Sequence, residues 1–260
     1  MTAVAPPALT RLSVNLNKVA LLRNARSHGE PGVLEAARIA IEAGAHGITL
    51  HPRPDRRHIL PEDVRRVADH LRGVPEVELN VEGNPFPEFM ELVRAVRPDQ
   101  CTLVPDDPTA RTSDRGWQVA THAVRLGPVI AELRELGIRV SLFMDADSTE
   151  WELARSLGAE RVELYTEPYA AAYAAGEWRG TLARYAAAAR EARAAGLGVN
   201  AGHDLNLRNL PPFLTIPGIL EVSIGHALIA DALKLGLGAA VAAYLEVVGA
   251  GGQAVPVDAA

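Results

Sequence analysis

The run HGITLHPRPDRRHI, residues 46–59, decides how this chain is read. Gly47–Leu50 is short, apolar and partly β-branched, which is the pattern of a buried strand. The chain then breaks at His51-Pro52. Five groups able to carry positive charge follow within eight positions: His51, Arg53, Arg56, Arg57 and His58. Pro52, Pro54 and Asp55 keep this segment out of helix and sheet. A hydrophobic strand that delivers imidazoles and guanidiniums into a loop brings proton transfer and anion recognition to one place. A solvated charged loop reads the same way in isolation; recurrence of the pattern along the chain separates the two.

It recurs. Residues 12–17 (LSVNLN) alternate like a strand. Further short apolar or alternating runs lie at 77–81, 101–104, Arg139–Met144, Arg161–Tyr165, 198–201 and 220–224. Helical patterns separate them: 31–44, 61–73 opening on Pro61, 86–96, a long one reaching Gly137 with a kink or break expected at Gly127-Pro128, 149–157, 182–195, a short proline-interrupted one reaching Ile216, and 227–248 with a break near Gly236. The segment after the first strand that carries Arg23 and Arg26, and residues 166–174, read as loops. Strands alternating with helices imply a parallel sheet. Eight such units in 260 residues suit one α/β domain, a closed (β/α)8 barrel, with 1–10 and 250–260 as flexible tails. An open doubly wound sheet is the competing reading. It would place a glycine-rich phosphate turn after the first strand, where this chain has NLNKVALLRNAR.

Composition narrows the function classes. With 48% hydrophobic and 22% charged residues the chain reads as an ordinary globular protein. A net charge of −6 offers no whole-protein attraction for nucleic acid or acidic membranes, so an anionic substrate needs a local cationic pocket. The single cysteine, Cys101, sits in an apolar run and reads as a buried small hydrophobe, outside any disulfide or cysteine-built metal site. Residues 1–10 lack the cationic and apolar regions of a signal peptide, and the apolar C-terminal run is interrupted by Asp231, Lys234 and Glu246. The expectation is a cytoplasmic protein.

A barrel makes a sharp statement about function, because catalytic groups gather at the C-terminal ends of its strands. Those ends carry Asn15, His51, Glu82, Asp145, His203 and His226, and Glu163 lies inside the sixth strand where alternation points it inward. Buried carboxylates are costly unless paired or functional. The seventh and eighth strand ends read NAGHD and IGHAL. Gly225 there lets backbone approach an anion, and the free N–H groups of a helix follow. Arg53 and His58 suggest a second anion site across the mouth, with Arg23 and Arg26 adding positive charge. Two phosphorylated substrates, or one bisphosphate, are expected. Residues 106–116 form the longest loop after a strand and read as a lid.

The segments NLNKVALLRNAR, GITLHPRPDRRHI, a third strand ending in Val-Glu, LVPD, VSLFMDAD, VELYTEPYA, VNAGHDL and SIGHALI occur in that order. The set resembles the pyridoxine 5′-phosphate synthase family of deoxyxylulose-dependent vitamin B6 biosynthesis, over about residues 12–245. The resemblance implies a (β/α)8 barrel assembled as a homo-octamer. It also implies a transferase that condenses 1-deoxy-D-xylulose 5-phosphate with 3-amino-2-oxopropyl phosphate, and no metal or organic cofactor. By resemblance, His51 and Glu82 are proton acceptors, His203 a proton donor, and Glu163 a stabiliser of transition-state charge. Asn15, Arg26, Gly225 and His226 match the aminooxopropyl phosphate site; Arg53, His58 and Thr112 match the deoxyxylulose phosphate site. Two positions depart from the family pattern. Asn17-Lys18 stands where many relatives have Asp-His, and Asp204 where many have Gly; all three are counted with the substrate-binding set.

Three other readings compete. Lys18 is a candidate Schiff-base amine for an aldolase. His51, His203 and His226 are candidate ligands of a metal-dependent hydrolase, although the chain lacks a His-x-His pair after the first strand. A phosphate-binding barrel without catalysis needs no such collection of acids and bases.

Overall fold

The computed structural model describes residues 9–106 and 113–251. Residues 1–8 and 252–260 of the expected tails, and 107–112 of the expected lid with Thr112 among them, lie outside the described residues.

Eight strands pair in chain order, all parallel: β1 (Arg11–Asn15), β2 (Gly47–Leu50), β3 (Glu78–Gly83), β4 (Gln100–Leu103), β5 (Arg139–Met144), β6 (Arg161–Tyr165), β7 (Gly198–Gly202) and β8 (Ile219–Ile224). β8 closes onto β1, with Ser13 beside Ser223. The expected (β/α)8 barrel is the fold. Alternation along each strand explains where the core sits. Leu12, Val14, Ile48, Leu50, Val81, Leu103, Val140, Leu142, Val162, Leu164, Val199 and Val222 are inaccessible to solvent and pack the space between sheet and helices. That shell is the apolar periodicity visible in the sequence.

The alternate residues point into the lumen, and they are polar. Ser13, Thr49, Asn80, Gln100, Thr102, Ser141, Asn200 and Glu221 are buried. Side chains from opposite walls meet: Gln100 Nε2 donates to Glu221 Oε1 at 3.4 Å, and Asn200 Nδ2 to the same oxygen at 3.2 Å. Thr102 Oγ1 donates to Asn80 Oδ1 at 3.0 Å, and the Ser13 and Thr49 hydroxyls share a 2.7 Å bond. At the N-terminal mouth Glu78 pairs with Arg11 at 2.8 Å and with Arg139, while Arg161 lies 3.9 Å from Glu221. Many barrels fill this space with branched aliphatic residues. Here buried polar groups fill it and mostly satisfy one another, as burial requires.

Eleven helices occur among the described residues. α1 (Asn17–Asn24) follows β1 within two residues, in a segment the sequence reads as loop. Asn15 Oδ1 accepts the Asn17 N–H at 3.0 Å and so turns strand directly into helix. α2 (Val33–Glu42), α3 (Pro61–Leu71), α4 (Pro87–Val96) and α6 (Trp151–Ser156) lie where expected. α5 (Val119–Glu135) runs through Pro128 as one helix. α7 (Glu167–Ala174) replaces the second expected loop; it opens on Pro168 in its first turn and buries only Tyr169. α8 (Trp178–Ala194) and α9 (Leu210–Phe213) follow. The last expected helix is divided at Gly236 (φ 83°) into α10 (His226–Leu235) and α11 (Leu237–Gly249). No helix of the described residues is long and apolar enough to cross a membrane.

Candidate active site

The C-terminal ends of the strands surround a cavity of about 520 Å³. It gathers twelve of the fourteen expected residues from β1 to β8: Asn15, Asn17 and Lys18; His51, Arg53 and His58; Glu82 and Glu163; His203 and Asp204; Gly225 and His226. Arg26 is exposed beyond α1 and does not line it. Cys101 is buried on the helix-facing side of β4, as expected for a small hydrophobe. Arg57, one of the five cationic groups after the second strand, also lines the cavity, as do Leu21, Ser113 and Ser223, which the sequence did not single out. Ser223 was findable, since it lies two residues before Gly225 on the inward register of β8.

The β2 end is held from β1. Asn17 Oδ1 accepts the His51 N–H at 3.0 Å, so the first turn of α1 sets the start of the cationic loop. The His51 ring is buried between two carboxylates, with Nδ1 3.9 Å from Glu82 and Nε2 4.0 Å from Asp106. Burial, with Arg53, His58 and His203 nearby, holds the imidazole well below its ordinary proton affinity. It is therefore a neutral ring, able to accept a proton. His58 Nδ1 accepts the Ile59 N–H at 2.9 Å, which fixes the tautomer and leaves Nε2–H as a donor toward the cavity. Burial and the Arg53 charge push His58 down to about 4, so it donates as a neutral group at physiological pH.

Glu82 and Glu163 face the lumen from β3 and β6, and both are buried. Burial, then the carboxylates of Asp106 and Glu221, push Glu82 up to about 8. Burial and the carboxylates of Glu82 and Glu221 hold Glu163 well above the carboxylate range. Like charges at close range cannot both ionise cheaply, so this pair keeps at least one proton near neutrality. Glu163 Oε2 has no hydrogen-bond partner among the described residues and is free to bond a ligand. A Cβ at position 202 would overlap Glu163 Oε1, so glycine is what lets that carboxylate turn inward at the β7 end.

His203 and Asp204 occupy the left-handed region at φ 80° and φ 58°, a strained conformation for residues with side chains. The buried Thr166 hydroxyl holds this turn, 2.6 Å from the Gly202 carbonyl and bonded also to the His203 carbonyl. The His203 ring stands edge-on to Phe143 and Tyr165, each 5.3 Å between centroids. Burial lowers its proton affinity, while Asp204 and Asp106 pull the other way. Gly225 caps α10, and Gly225 and His226 line the cavity at the start of that helix; Asn15 lies 3.2 Å from where a Cβ at Gly225 would sit. The arrangement offers a neutral base, a carboxyl pair that keeps at least one proton, an aromatic-flanked imidazole and two anion-binding edges.

Comparison with known proteins agrees with this chemistry. A family model described as pyridoxal phosphate biosynthesis protein PdxJ matches residues 12–250. A protein of Albidiferax ferrireducens named pyridoxine 5′-phosphate synthase is 53% identical over 248 residues, covering 93% of this chain and 98% of its own. One of the same name from Xanthomonas campestris pv. campestris is 53% identical over 250 residues, covering 93% and 97%. Among solved structures, 3-keto-L-gulonate-6-phosphate decarboxylase from Vibrio cholerae shares the fold at a TM-score of 0.61 and 14% identity, over 95% of this chain and 99% of that one. With a family model spanning the barrel and relatives above half identity along nearly the whole chain, this chain belongs to the PdxJ family of pyridoxal phosphate biosynthesis proteins.

Proposed function

We propose that this single-domain enzyme is a pyridoxine 5′-phosphate synthase, condensing 1-deoxy-D-xylulose 5-phosphate with 3-amino-2-oxopropyl phosphate. One observation carries the reading: acid–base groups from four different strands, His51, Glu82, Glu163 and His203, share one cavity with two anion-binding edges. The reaction joins amine to ketone with loss of water, eliminates one phosphate and closes the ring by an aldol-type step. Every stage moves protons, so several acids and bases must face one pocket.

In this proposal His51, neutral when buried, takes the first proton, and Glu82 is the second acceptor. Glu163 keeps its proton and bonds oxygen as negative charge develops on it. His203 donates the proton that departs with water; the phosphates of bound substrate raise its proton affinity into the working range. Arg53, His58, Asn17 and Lys18 hold the deoxyxylulose phosphate, together with Thr112, which lies outside the described residues. Asn15, Asp204, Gly225, His226 and the α10 amides form the aminooxopropyl phosphate side, where family resemblance also places Arg26.

An aldolase using Lys18 finds less support. Lys18 is exposed on the first turn of α1, whereas a covalent lysine needs desolvation or a neighbouring cation to lose its proton. Borohydride trapping followed by mass spectrometry separates the two; an adduct on Lys18 would replace the present assignment. We further propose a cytoplasmic homo-octamer. The exposed Leu21, Leu22, Leu233 and Leu235 on the adjoining helices α1 and α10 support association with further copies, which light scattering measures directly. The function itself is tested by incubating the protein with both phosphates and following the products by ³¹P NMR. Stoichiometric pyridoxine 5′-phosphate and inorganic phosphate are expected; consumption of neither substrate would refute the reading.

A further inference from the structure

The loop leaving β4 carries a carboxylate that the chemistry above does not use. Asp106 Oδ2 accepts from Arg53 NH1 at 2.5 Å and from Ser113 Oγ at 2.8 Å, and His51 Nε2 stands 4.0 Å from the same oxygen. Its backbone carbonyl accepts from Asn84 Nδ2 at 2.9 Å, and Asn84 Oδ1 in turn accepts from Arg125. Asp106, Arg53, Ser113 and Asn84 are all buried. Arg53 lines both the main cavity and a smaller one of about 250 Å³ beside Phe86 and Phe89, so open space lies on more than one side of it. A charge-assisted bond to a carboxylate that Ser113 also holds, on a backbone that Asn84 fixes, orients the Arg53 guanidinium.

We propose that Asp106 is a positioning residue for the reaction: it fixes the Arg53 guanidinium and the edge of the His51 ring before substrate arrives. The inference rests on the proposed roles of Arg53 and His51. A phosphate then meets a cation already oriented, and no ordering of the side chain is left to the binding step. Asp106 also places a negative charge among the acid–base groups. Glu82 faces Asp106, Glu221, Glu163 and His51; His203 faces Asp106, Asp204, Lys18, Arg53 and His51. The Asp106 charge raises the proton affinity of both Glu82 and His203. Removing it lowers both.

The test compares wild type with Asp106→Ala, Asp106→Asn and Asp106→Glu, each checked for folding by circular dichroism. Asp106→Ala is expected to raise the KM for deoxyxylulose phosphate about tenfold or more, with a smaller change for the other substrate, as a misplaced positioning contact does. Asp106→Asn keeps an acceptor for Arg53 and carries the test if the alanine variant fails to fold. With Glu82 required ionised and His203 required protonated, both limbs of its pH–rate profile should move to lower pH. Asp106→Glu should recover most of the loss. In ligand-free protein, histidine-ring NMR should show His203 titrating at lower pH in Asp106→Asn. A pH–rate profile and a His203 titration that both superimpose on wild type would overturn the proposal, as would an alanine variant with unchanged KM values. The NMR arm needs no turnover, so it reads the Asp106 charge at His203 even if wild type fails to make product from the two phosphates, while the KM of Asp106→Ala reads the positioning of Arg53.

Discussion

Thr166→Val tests whether the strained turn at the end of β7 is a built feature of the site. The Thr166 hydroxyl has one proton and two neighbouring acceptors, the carbonyls of Gly202 and His203. Gly202 also receives the Thr166 N–H at 2.9 Å, so valine leaves it one donor. The substitution therefore removes one net hydrogen bond, worth about 1 kcal/mol, and strands the His203 carbonyl at a cost of about 1–3 kcal/mol. Against this, the turn holds two non-glycine residues at positive φ, each costing about 1–3 kcal/mol. Once released, much of that strain is recovered. The expected net loss is at most about 2 kcal/mol, or roughly 4–8 °C in Tm for a chain of this size. Activity should suffer far more, because His203 loses the constraint that aims its ring between Phe143 and Tyr165. A displacement of about 1 Å costs on the order of 10²-fold in rate. Steady-state kcat at saturating substrates beside calorimetry measures both quantities, with Thr166→Ser as the control that keeps the hydroxyl. Wild-type kcat in Thr166→Val, or an equal loss in Thr166→Ser, would refute the reasoning.

Three further outcomes follow from the same geometry. Gly202→Ala should depress turnover while the barrel still forms, because the added methyl overlaps Glu163 Oε1; unchanged kinetics would mean the carboxylate is not held there. Acid should remove the His58 contribution to the stability of the ligand-free protein, while the raised Glu82 and Glu163 carboxyls act in the opposite direction. His58 drops from 6.5 in the unfolded chain to about 4 when folded, so between those values the unfolded state binds the extra proton. His51 and His203 act in the same direction. The His58 share is complete above about pH 6.5 and is lost as pH falls toward 4, so the Tm difference between wild type and His58→Gln should change across that interval and be constant above it. Glu221→Ala should cost about 1–3 kcal/mol in urea unfolding, since it leaves the buried Gln100 and Asn200 amide donors without their shared acceptor; a change well below about 1 kcal/mol would mean the polar lumen is not an interlocked network.

The barrel was legible because its helix-facing shell has the periodicity of apolar strands, and because His51, Glu82 and His203 fall where such strands end. Glu163 was legible from alternation alone. What the sequence hid has physical causes. α1 and α7 looked like loops because each is a two-turn helix with little amphipathic contrast, one started by the Asn15 side chain and the other by Pro168. The break allowed for at Gly127-Pro128 does not occur: the proline costs α5 one hydrogen bond without ending it. The polar lumen was unreadable because its partners lie far apart in sequence, as with Gln100 and Glu221. Asp106 looked like any loop acid until β4 and β2 brought it against Arg53. Arg26 carries a family match but no placement at this cavity, since it follows the solvent-facing end of α1.

The central claim is that three side chains from separate strands move the protons of one condensation. It is tested most directly by measuring turnover of the two phosphates by His51→Asn, Glu82→Gln and His203→Asn beside wild type, with circular dichroism confirming that each is folded. Each variant should lose roughly 10²–10⁴-fold, as removal of a positioned acid or base does. Near-normal turnover in all three folded variants would contradict the account.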